Sequence, residues 1–278
     1  MKQRLRAVGW SLLFLLGGYL LALLLLYLAG RFLPHLAPGP LLGAAVETAA
    51  LVLGYAALTW LIGKRVLRLS AADFGLVPLR PGLRGFGWGI VVGSLLAGLA
   101  MLVAVPLGHA AWREDGGNPV QWGGTLLLTV AVMLPAAFAE ELAFRGVPLI
   151  VLSRSFGRIP ALVALAALFS FGHSDNPAVT GLALVNIGLA GIFLGLAFFT
   201  PGGLWTSTGA HLGWNLAIVG LAAPVSGIPL PMPWLDYASG GPVWLTGGPF
   251  GPEGGALATL AILGGALLAS RRRKEISA

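Results

Sequence analysis

The chain has 278 residues, of which 57% are hydrophobic and only 10% are charged, and its mean hydropathy is +0.87. A soluble domain of this length needs far more charge on its surface, so the composition predicts an integral membrane protein. The net charge is +7, but the basic residues lie in short clusters between apolar runs, which excludes nucleic-acid binding in favour of membrane anchoring. There is no cysteine, which excludes disulfides and thiolate chemistry.

Apolar runs long enough to cross a bilayer, about 20 residues each, follow one another along the whole chain. They predict an all-α fold, a polytopic membrane helix bundle of about eight transmembrane helices in a single domain over residues 1–278. The first run is too long for a cleavable signal, so we expect it to remain as a helix. The runs are residues 8–29, 41–63, 86–108, 123–153, 159–173, 178–199, 203–222 and 254–270.

Two features interrupt this pattern. Pro135 and Pro148 lie inside the long fourth run, and we expect both to kink its helix. The segment from 222 to 251 is rich in Pro and Gly and is interpreted as an irregular outer loop. The spacings of Gly89 with Gly93 and of Gly191 with Gly195 predict close helix packing.

The basic residues are distributed unequally between the two sides of the predicted bundle. Only Arg31 and Arg113 fall on one side, so the positive-inside rule predicts that both termini are cytoplasmic. Lysine is rare beside many Arg, Ala, Gly and Leu, which is typical of a GC-rich prokaryote, and we expect a prokaryotic plasma membrane. The residues on the other side are Lys2, Arg4, Arg6, Lys64, Arg65, Arg68, Arg80, Arg84, Arg154, Arg158, Arg271, Arg272, Arg273 and Lys274.

Few ionisable residues lie inside the predicted spans, and such residues are usually functional because burying them in a membrane is costly. Glu141 and Arg145 are four residues apart, which places them on one helix face as an ion pair. Glu140 points about 100° away and is left without that partner. Glu47, near the outer end of its span, is interpreted as a snorkelling or packing residue.

Two further pairs of residues have the same helical spacing. Phe169 and His173 end the fifth run, and His211 and Asn215 lie in the seventh. Any one such residue most often makes a hydrogen bond between helices. Glu140, Glu141, Arg145, His173, His211 and Asn215 are six polar groups that are costly to bury in a membrane, and they lie on three predicted helices. Because one explanation should account for all six, we expect their side chains to meet at one site.

Depth in the membrane supports convergence. Glu140 precedes Phe156, the expected apex of a helical hairpin, by 16 residues, and His173 follows it by 17. The two side chains are therefore level in antiparallel helices. His211 lies closer to the turn that precedes its own helix. It can therefore reach Glu140 and His173 only if the helices tilt or if the loop at Phe156 projects beyond the membrane.

The sequence resembles the CPBP family of intramembrane proteases, also called the Abi or CAAX-protease family. That family carries two glutamates with an arginine four after the second, then Phe–x3–His, then His–x3–Asn. All three motifs occur here in that order, within a core of about residues 120–220. The supporting similarities are ADFGL at 72–76 and GGLW at 202–205.

The resemblance implies hydrolysis of a peptide bond within the membrane by a glutamate-type peptidase. It implies that Glu140 and His173 activate a water molecule, and that His211 and Asn215 hold the oxyanion. The implied supporting residues are Glu141, Arg145 and Phe169. The expected substrate is a membrane-embedded or lipidated peptide or protein in the bilayer.

Three alternatives stay open at this point. We favour metal-free hydrolysis, but zinc held by Glu140, His173 and His211 would match a catalytic ligand set. A non-catalytic immunity or scaffold protein of the same fold would carry the same helices without the reaction. A proton-coupled transporter could use the same buried acids and histidines, although the chain lacks the paired interrupted helices typical of transporters.

Overall fold

The structure, a computed structural model, describes residues 1–32 and 40–272 and confirms the predicted all-α membrane bundle. Within these ranges, helices follow each other along the chain, with one small pair of strands. The helices are α1 (Lys2–Phe32), α2 (Pro40–Leu58), α3 (Leu79–Ala104), α4 (Pro119–Arg145), α5 (Val147–Phe156), α6 (Arg158–Phe171), α7 (Gly181–Phe198), α8 (Leu204–Gly220), α9 (Val243–Thr246) and α10 (Ala256–Arg271). A π-helical segment, Thr59–Val66, extends α2.

Five helical segments in the described ranges are long and apolar enough to cross a membrane. The helices Arg158–Phe171 and Ala256–Arg271 are shorter but also apolar. Every predicted run coincides with one of the helices, and the long fourth run contains two. The five segments are Lys2–Phe32, Leu42–Val66, Leu79–Ala104, Pro119–Phe156 and Gly181–Phe198.

Helix α1 illustrates how a membrane-spanning helix of this protein contacts the bundle with one face and lipid with the other. Its buried residues recur every three or four positions and are mostly small, so the helix presents one narrow face to the bundle. Phe14 on this face packs against Tyr55 of α2, with ring centroids 5.8 Å apart. The leucines on the other face, such as Leu16 and Leu20, are 62% exposed, as expected for a surface covered by lipid.

The long fourth run is divided at Gly146. Asn118 starts α4 with a capping box, in which its side chain accepts hydrogen bonds from the Val120 and Gln121 amides. Pro135 stays inside α4, whereas Pro148 lies in the first turn of α5, where a missing N–H is tolerated. The predicted kink at Pro148 is therefore a full break between two helices.

Helix α8 lies inside the bundle and packs most extensively on α3. Gly89 and Gly93 of α3 face it so closely that a methyl group at either position would overlap the α8 backbone. A methyl group at Gly191 of α7 would lie 3.0 Å from the Cα of Ala166 on α6, and one at Gly195 would overlap the Leu162 side chain. Both predicted packing motifs are thus confirmed, and they bring the motif-bearing helices together.

The segment after α8 is more ordered than the predicted irregular loop. Its residues Asp236–Ser239 form β2, which pairs antiparallel with β1 (Ala110–Arg113). The Trp112 and Tyr237 rings pack across the pair with centroids 5.4 Å apart. Strands of four residues between Pro and Gly carry too little alternation to be predicted from sequence.

Four of the described basic residues expected on the cytoplasmic side make contacts that join loops and helix ends from different parts of the chain. Arg273 and Lys274 lie outside the described residues. The contacts are Arg4 over the Phe156 ring at 5.5 Å, Arg158 over Phe199 at 5.0 Å, Arg272 over Trp88 at 4.7 Å, and Arg154 to Asp73 at 2.5 Å.

Candidate active site

A cavity of about 550 Å³ lies between α2, α4, α7, α8 and the segment that follows α8. It is mostly apolar, and Leu51, Val132, Met133 and Phe144 are among the residues that form its walls. The structure brings four predicted site residues to this cavity from three regions of the chain. They are Glu140, His173, His211 and Asn215, and Phe169 also lines the wall.

Behind the cavity wall lies the predicted pair of Glu141 and Arg145. Arg145 Nη1 is 3.1 Å from Glu141 Oε1, and the Glu141 side chain is fully buried. Arg145 Nη2 also donates a hydrogen bond of 2.9 Å to the Gly191 carbonyl of α7. A buried charge is tolerated only when it is paired and hydrogen-bonded, and this arrangement supplies both conditions.

Glu141 also holds His211, a contact that sequence spacing did not predict. The Nδ1 atom of His211 lies 2.9 Å from Glu141 Oε1. The other carboxylate oxygen, Oε2, accepts a hydrogen bond from Ser207, one turn before His211 on α8. An ionised carboxylate only accepts hydrogen bonds, so Nδ1 carries a proton and Nε2 is the atom that faces the cavity.

Glu140 has a different environment. Its side chain is 38% exposed, and its Oε2 lies 3.8 Å from His211 Nε2. That oxygen is nonetheless enclosed and receives no hydrogen bond from the residues that the structure describes. Buried polar atoms nearly always have a partner. Glu140 therefore holds an acceptor ready for a water molecule or a substrate.

His173 lies just beyond the end of α6 and is oriented by its own helix. Its Nδ1 is 2.8 Å from the Phe169 carbonyl oxygen, which can only accept, so Nδ1 donates. The other ring nitrogen, Nε2, has no hydrogen-bond partner in the part of the chain that the structure describes. The Phe169 ring packs against His173 at 4.8 Å and His211 at 6.2 Å between ring centroids. The guanidinium of Arg145 lies 5.1 Å from the same ring. The Phe169 ring therefore contacts Arg145 of the buried ion pair as well as both histidines.

The far end of the cavity contains a buried carboxyl group that the sequence analysis did not select. Glu253 Oε1 accepts a 2.9 Å hydrogen bond from the indole of Trp214, and Oε2 accepts from the amide and hydroxyl of Ser226. Asn186 donates to the Glu253 carbonyl at 2.7 Å. Glu253 was missed because it lies in a Pro- and Gly-rich stretch outside any apolar run. Its only sequence signal is a lone acidic residue directly before the last span.

The interpretation of Glu47 as a snorkelling or packing residue at the end of a span stays a prediction. The structure adds that Glu47 of α2 is exposed and lines the same cavity as Glu140. Helical spacing alone could not show this, because the direction of a side chain depends on which neighbour α2 packs against.

The possible zinc ligands were tested by their grouping. Within residues 1–32 and 40–272, no three His, Cys, Asp or Glu side chains are close enough together to hold a metal ion. Glu140, His173 and His211 share a cavity but are not grouped in this way, and whether hydrolysis needs zinc stays an open prediction.

Residues 122–217 match the protein-family model described as Type II CAAX prenyl endopeptidase Rce1-like. This range contains all three motifs and agrees with the resemblance drawn from them. Neither the curated proteins nor the solved structures compared with the chain include a significant match.

Proposed function

Because residues 122–217 match the Rce1-like family model, we propose that the chain is an intramembrane endopeptidase whose water nucleophile is activated by Glu140. Its substrate is a peptide bond in a membrane-associated protein or peptide. The reaction is metal-free and uses Glu140, His173, His211 and Asn215, all of which line one cavity.

The observation that carries this proposal is the Oε2 atom of Glu140. It is enclosed, has no hydrogen-bond partner among the described residues, and lies 3.8 Å from His211 Nε2. A base needs a free acceptor within reach of the proton that it removes. Glu141 cannot serve this role, because its oxygens are already bonded to Arg145, His211 and Ser207.

The reaction follows from these positions. Glu140 removes a proton from a water molecule that the free Nε2 of His173 helps to orient, and the resulting hydroxide attacks the carbonyl carbon. The carbonyl oxygen becomes an oxyanion and accepts hydrogen bonds from the Asn215 amide and from His211 Nε2–H. Glu140 then passes its proton to the leaving nitrogen as the C–N bond breaks.

This scheme sets a requirement on His211. Its Nδ1–H already points to Glu141, so donation to the oxyanion requires a second proton on Nε2. Preorganised donors of this kind contribute about 3–4 kcal/mol to an oxyanion transition state. Glu141 is therefore needed for catalysis in this scheme, because a hydrogen-bond acceptor at Nδ1 holds the His211 ring with its Nε2 facing the cavity.

The test is cleavage of a membrane-peptide library by the purified protein in detergent or liposomes. Glu140→Gln and His173→Ala should each reduce the rate by about a thousandfold or more, with the unfolding temperature unchanged within a few degrees. Glu114→Gln, an exposed carboxyl outside the cavity, is the matched control and should cleave normally.

Equal rates for wild type and Glu140→Gln would reject the proposal. Peptide binding without cleavage by the wild type would instead support a non-catalytic immunity or scaffold protein. Loss of cleavage in a strong chelator, restored by zinc, would reject the metal-free mechanism.

We also propose that both termini are cytoplasmic. The excess of basic residues predicted on that side supports this orientation, and the contacts of Arg4, Arg154 and Arg158 join the start of α1 to neighbouring loops and helix ends. The chain has no cysteine, so single cysteines introduced near Arg4 and near Glu114 can be labelled in intact cells without background. Labelling of the Arg4 site by an impermeant reagent would reject the orientation.

A further inference from the structure

A buried carboxyl group lies between two of the elements that carry the predicted catalytic residues. Glu253 comes shortly before α10, lines the far end of the cavity and is only 9% exposed. It lies outside the three sequence motifs and takes no part in the proposed reaction. Its hydrogen bonds nonetheless extend to α8 on one side and to the turn after α6 on the other.

The first link joins Glu253 to α8. Its Oε1 accepts a 2.9 Å hydrogen bond from the indole of Trp214. Trp214 is 8% exposed, and it lies directly before Asn215 and three residues after His211. An indole N–H can only donate, so loss of this acceptor would leave a buried donor without its partner, which is unfavourable. The bond therefore holds the part of α8 from which Asn215 lines the cavity.

The second link joins Glu253 to the turn that carries His173. Glu253 Oε2 accepts hydrogen bonds from the amide and the hydroxyl of Ser226, in the segment that follows α8. The Ser226 carbonyl accepts a 2.9 Å hydrogen bond from the side chain of Asn176. The backbone amide of Asn176 bonds the His173 carbonyl at 3.2 Å and closes the turn. Glu253 is therefore connected to His173 through Ser226 and Asn176.

The backbones of these two segments also meet. Gly227, which follows Ser226, has a φ of +83°, and a methyl group there would overlap the Pro177 carbonyl. On either side of this contact, Ser226 and Ala178 have φ values of +50° and +54°, which are uncommon for residues other than glycine. Such conformations persist only where surrounding contacts hold them, and they cluster at functional sites. The contact between the turn and the segment that follows α8 is therefore close and well defined.

Glu253 can fix both links because its own backbone is held. Asn186 of α7 donates hydrogen bonds to the Glu253 carbonyl at 2.7 Å and to the Gly255 carbonyl at 2.9 Å. Thr259 of α10 donates a 2.7 Å hydrogen bond to Asn186 Oδ1, which fixes the orientation of that amide. Helices α7 and α10 thus hold Glu253 in place from behind.

We propose that Glu253 is a positioning residue for the reaction, although it does not contact the substrate. It holds the turn with His173 against the part of α8 that carries Asn215, so that the histidine that orients water and the amide that stabilises the oxyanion act on the same peptide bond. This role depends on the positions of its two acceptor oxygens and not on the net charge of the cavity. It rests on the proposed function, because the two residues that it positions are those of the proposed reaction.

Glu253→Gln tests both links with almost no change in side-chain volume. Glutamine has one acceptor oxygen, so either Trp214 or Ser226 would face an amide N–H group in place of an acceptor. We expect kcat to fall about tenfold with KM changed less than about threefold, and Glu253→Ala should lower kcat by about a hundredfold. A residue that only filled space would tolerate glutamine. Wild-type kcat in both variants would overturn the proposal.

Asn176→Ala breaks the second link at its other end and should also lower kcat about tenfold. Asp175→Ala, at an exposed neighbour in the same turn, is the matched control and should cleave normally. Because Glu253 and Asn176 act through one series of contacts, the double variant Glu253→Gln/Asn176→Ala should lose little more than the more damaged single variant. Losses that multiply in full would show that the two residues act independently and would overturn the second link.

A spin label separates this proposal from the proposed function. The chain has no cysteine, so Asp175→Cys can be labelled alone, and the mobility of the label is measured by EPR in the folded protein. Adding Glu253→Ala should increase this mobility, whereas a label at Glu114→Cys, exposed and outside the cavity, should not respond. If the turn is released but the wild type cleaves nothing, only the proposed function fails. If the wild type cleaves and Glu253→Ala changes neither kcat nor the label, the proposal is overturned and the proposed function stands.

Discussion

His211 is bonded to Glu141 and not to Glu140. Its Nδ1 lies 2.9 Å from Glu141 Oε1, whereas its Nε2 lies 3.8 Å from Glu140 Oε2. The adjacent glutamates therefore face opposite nitrogens of one imidazole. Glu141 fixes the orientation of the His211 ring, and Glu140 lies in the cavity beside the Nε2 edge of that ring.

Glu141→Gln should damage both the stability and the activity. The change leaves the buried Arg145 charge without its partner, and breaking a buried ion pair in this way costs about 3–5 kcal/mol. It also replaces the acceptor at His211 Nδ1 with an amide that can present either a donor or an acceptor. We expect a markedly lower unfolding midpoint in detergent and a loss of cleavage of about a hundredfold or more.

A double variant separates these two effects. Glu141→Leu with Arg145→Met removes both charges and should recover most of the lost stability, because apolar replacement of a buried pair is often neutral. It should not recover cleavage, since His211 would still lack its acceptor. Full activity in the double variant would show that the Glu141–His211 contact has no part in the reaction.

Ser207→Ala should give a smaller loss through the same network. Ser207 bonds Glu141 Oε2 and lies on α8 one turn before His211. Its removal takes away one of the contacts that fix the carboxylate, and we expect about 1 kcal/mol lower stability and a rate reduced about tenfold. The measurement is kcat/KM with the unfolding midpoint from the same preparation.

Thr208→Val provides the matched control. Thr208 is also buried on α8, but its hydroxyl bonds only the Leu204 carbonyl of its own helix. Loss of that hydroxyl should leave cleavage near the wild-type rate. A similar fall in activity for both variants would mean that α8 is generally sensitive to the loss of buried hydroxyls.

Helical spacing predicted part of the site because most of the motif residues lie on regular helices. The Glu141–Arg145 pair follows from 1.5 Å of rise and 100° of turn per residue, whereas the break at Gly146 and the turn that carries His173 interrupt the helices from which the level of Glu140 with His173 was predicted. The contacts of Glu141 with His211 and Ser207 did not follow, since they depend on the rotation of α8 against α4. Only tertiary packing determines that rotation.

The same limit explains why the position of Glu47 at the cavity was not predicted and why Glu253 was omitted. Hydropathy identifies which segments enter the membrane, but not which face of a segment meets a cavity. Glu253 lies in a loop whose path depends on long-range bonds to Trp214 and Asn186. Sequence patterns carry little information about contacts of this kind.

Gly93→Ala should separate α3 from α8. The added methyl group would overlap the Ala210 carbonyl and lie 2.9 Å from the Trp214 amide. Backbone atoms cannot move aside as a flexible side chain can. We therefore expect Gly93→Ala to lower the free energy of unfolding by about 2–3 kcal/mol. Because His211 and Asn215 lie on the displaced helix, cleavage should fall as well.

Gly98→Ala on the same helix is the control. Nothing lies within 4 Å of a methyl group at that position, and alanine favours a helix over glycine by about 1 kcal/mol. The variant should be as stable as the wild type or slightly more stable. Equal destabilisation by both alanines would contradict close packing as the cause.

The pair of Asp73 and Arg154 predicts a dependence of stability on pH. Partial burial alone would raise the pKa of the Asp73 carboxyl, but the hydrogen bonds from Ser70 and the Arg154 guanidinium outweigh it and hold the pKa below its ordinary value. Since the folded pKa is lowered, this contribution is fully present above the unfolded value of about 3.9 and is lost as the pH falls through the folded pKa.

Asp73→Asn should therefore lower stability at neutral pH by only about 0.5 kcal/mol, because both side chains are partly exposed and the pair is screened. The difference in stability between Asp73→Asn and the wild type should become smaller below pH ~4. Thermal unfolding at both pH values measures the difference. Arg154→Gln should behave alike, and a growing difference in acid would contradict the lowered pKa.

The interior position of α8 also has a consequence for biogenesis. Its polar side chains pack against α3, α4 and α7. Without these helices they would face lipid, so the translocon should insert an isolated α8 into the bilayer inefficiently. We expect it to enter the bilayer only after α3 and α4 are in place to receive it. In a glycosylation-mapping assay, α8 alone should insert poorly, and its insertion should rise when the preceding helices are present. The buried residues that build the site would then also set the order in which the helices are inserted.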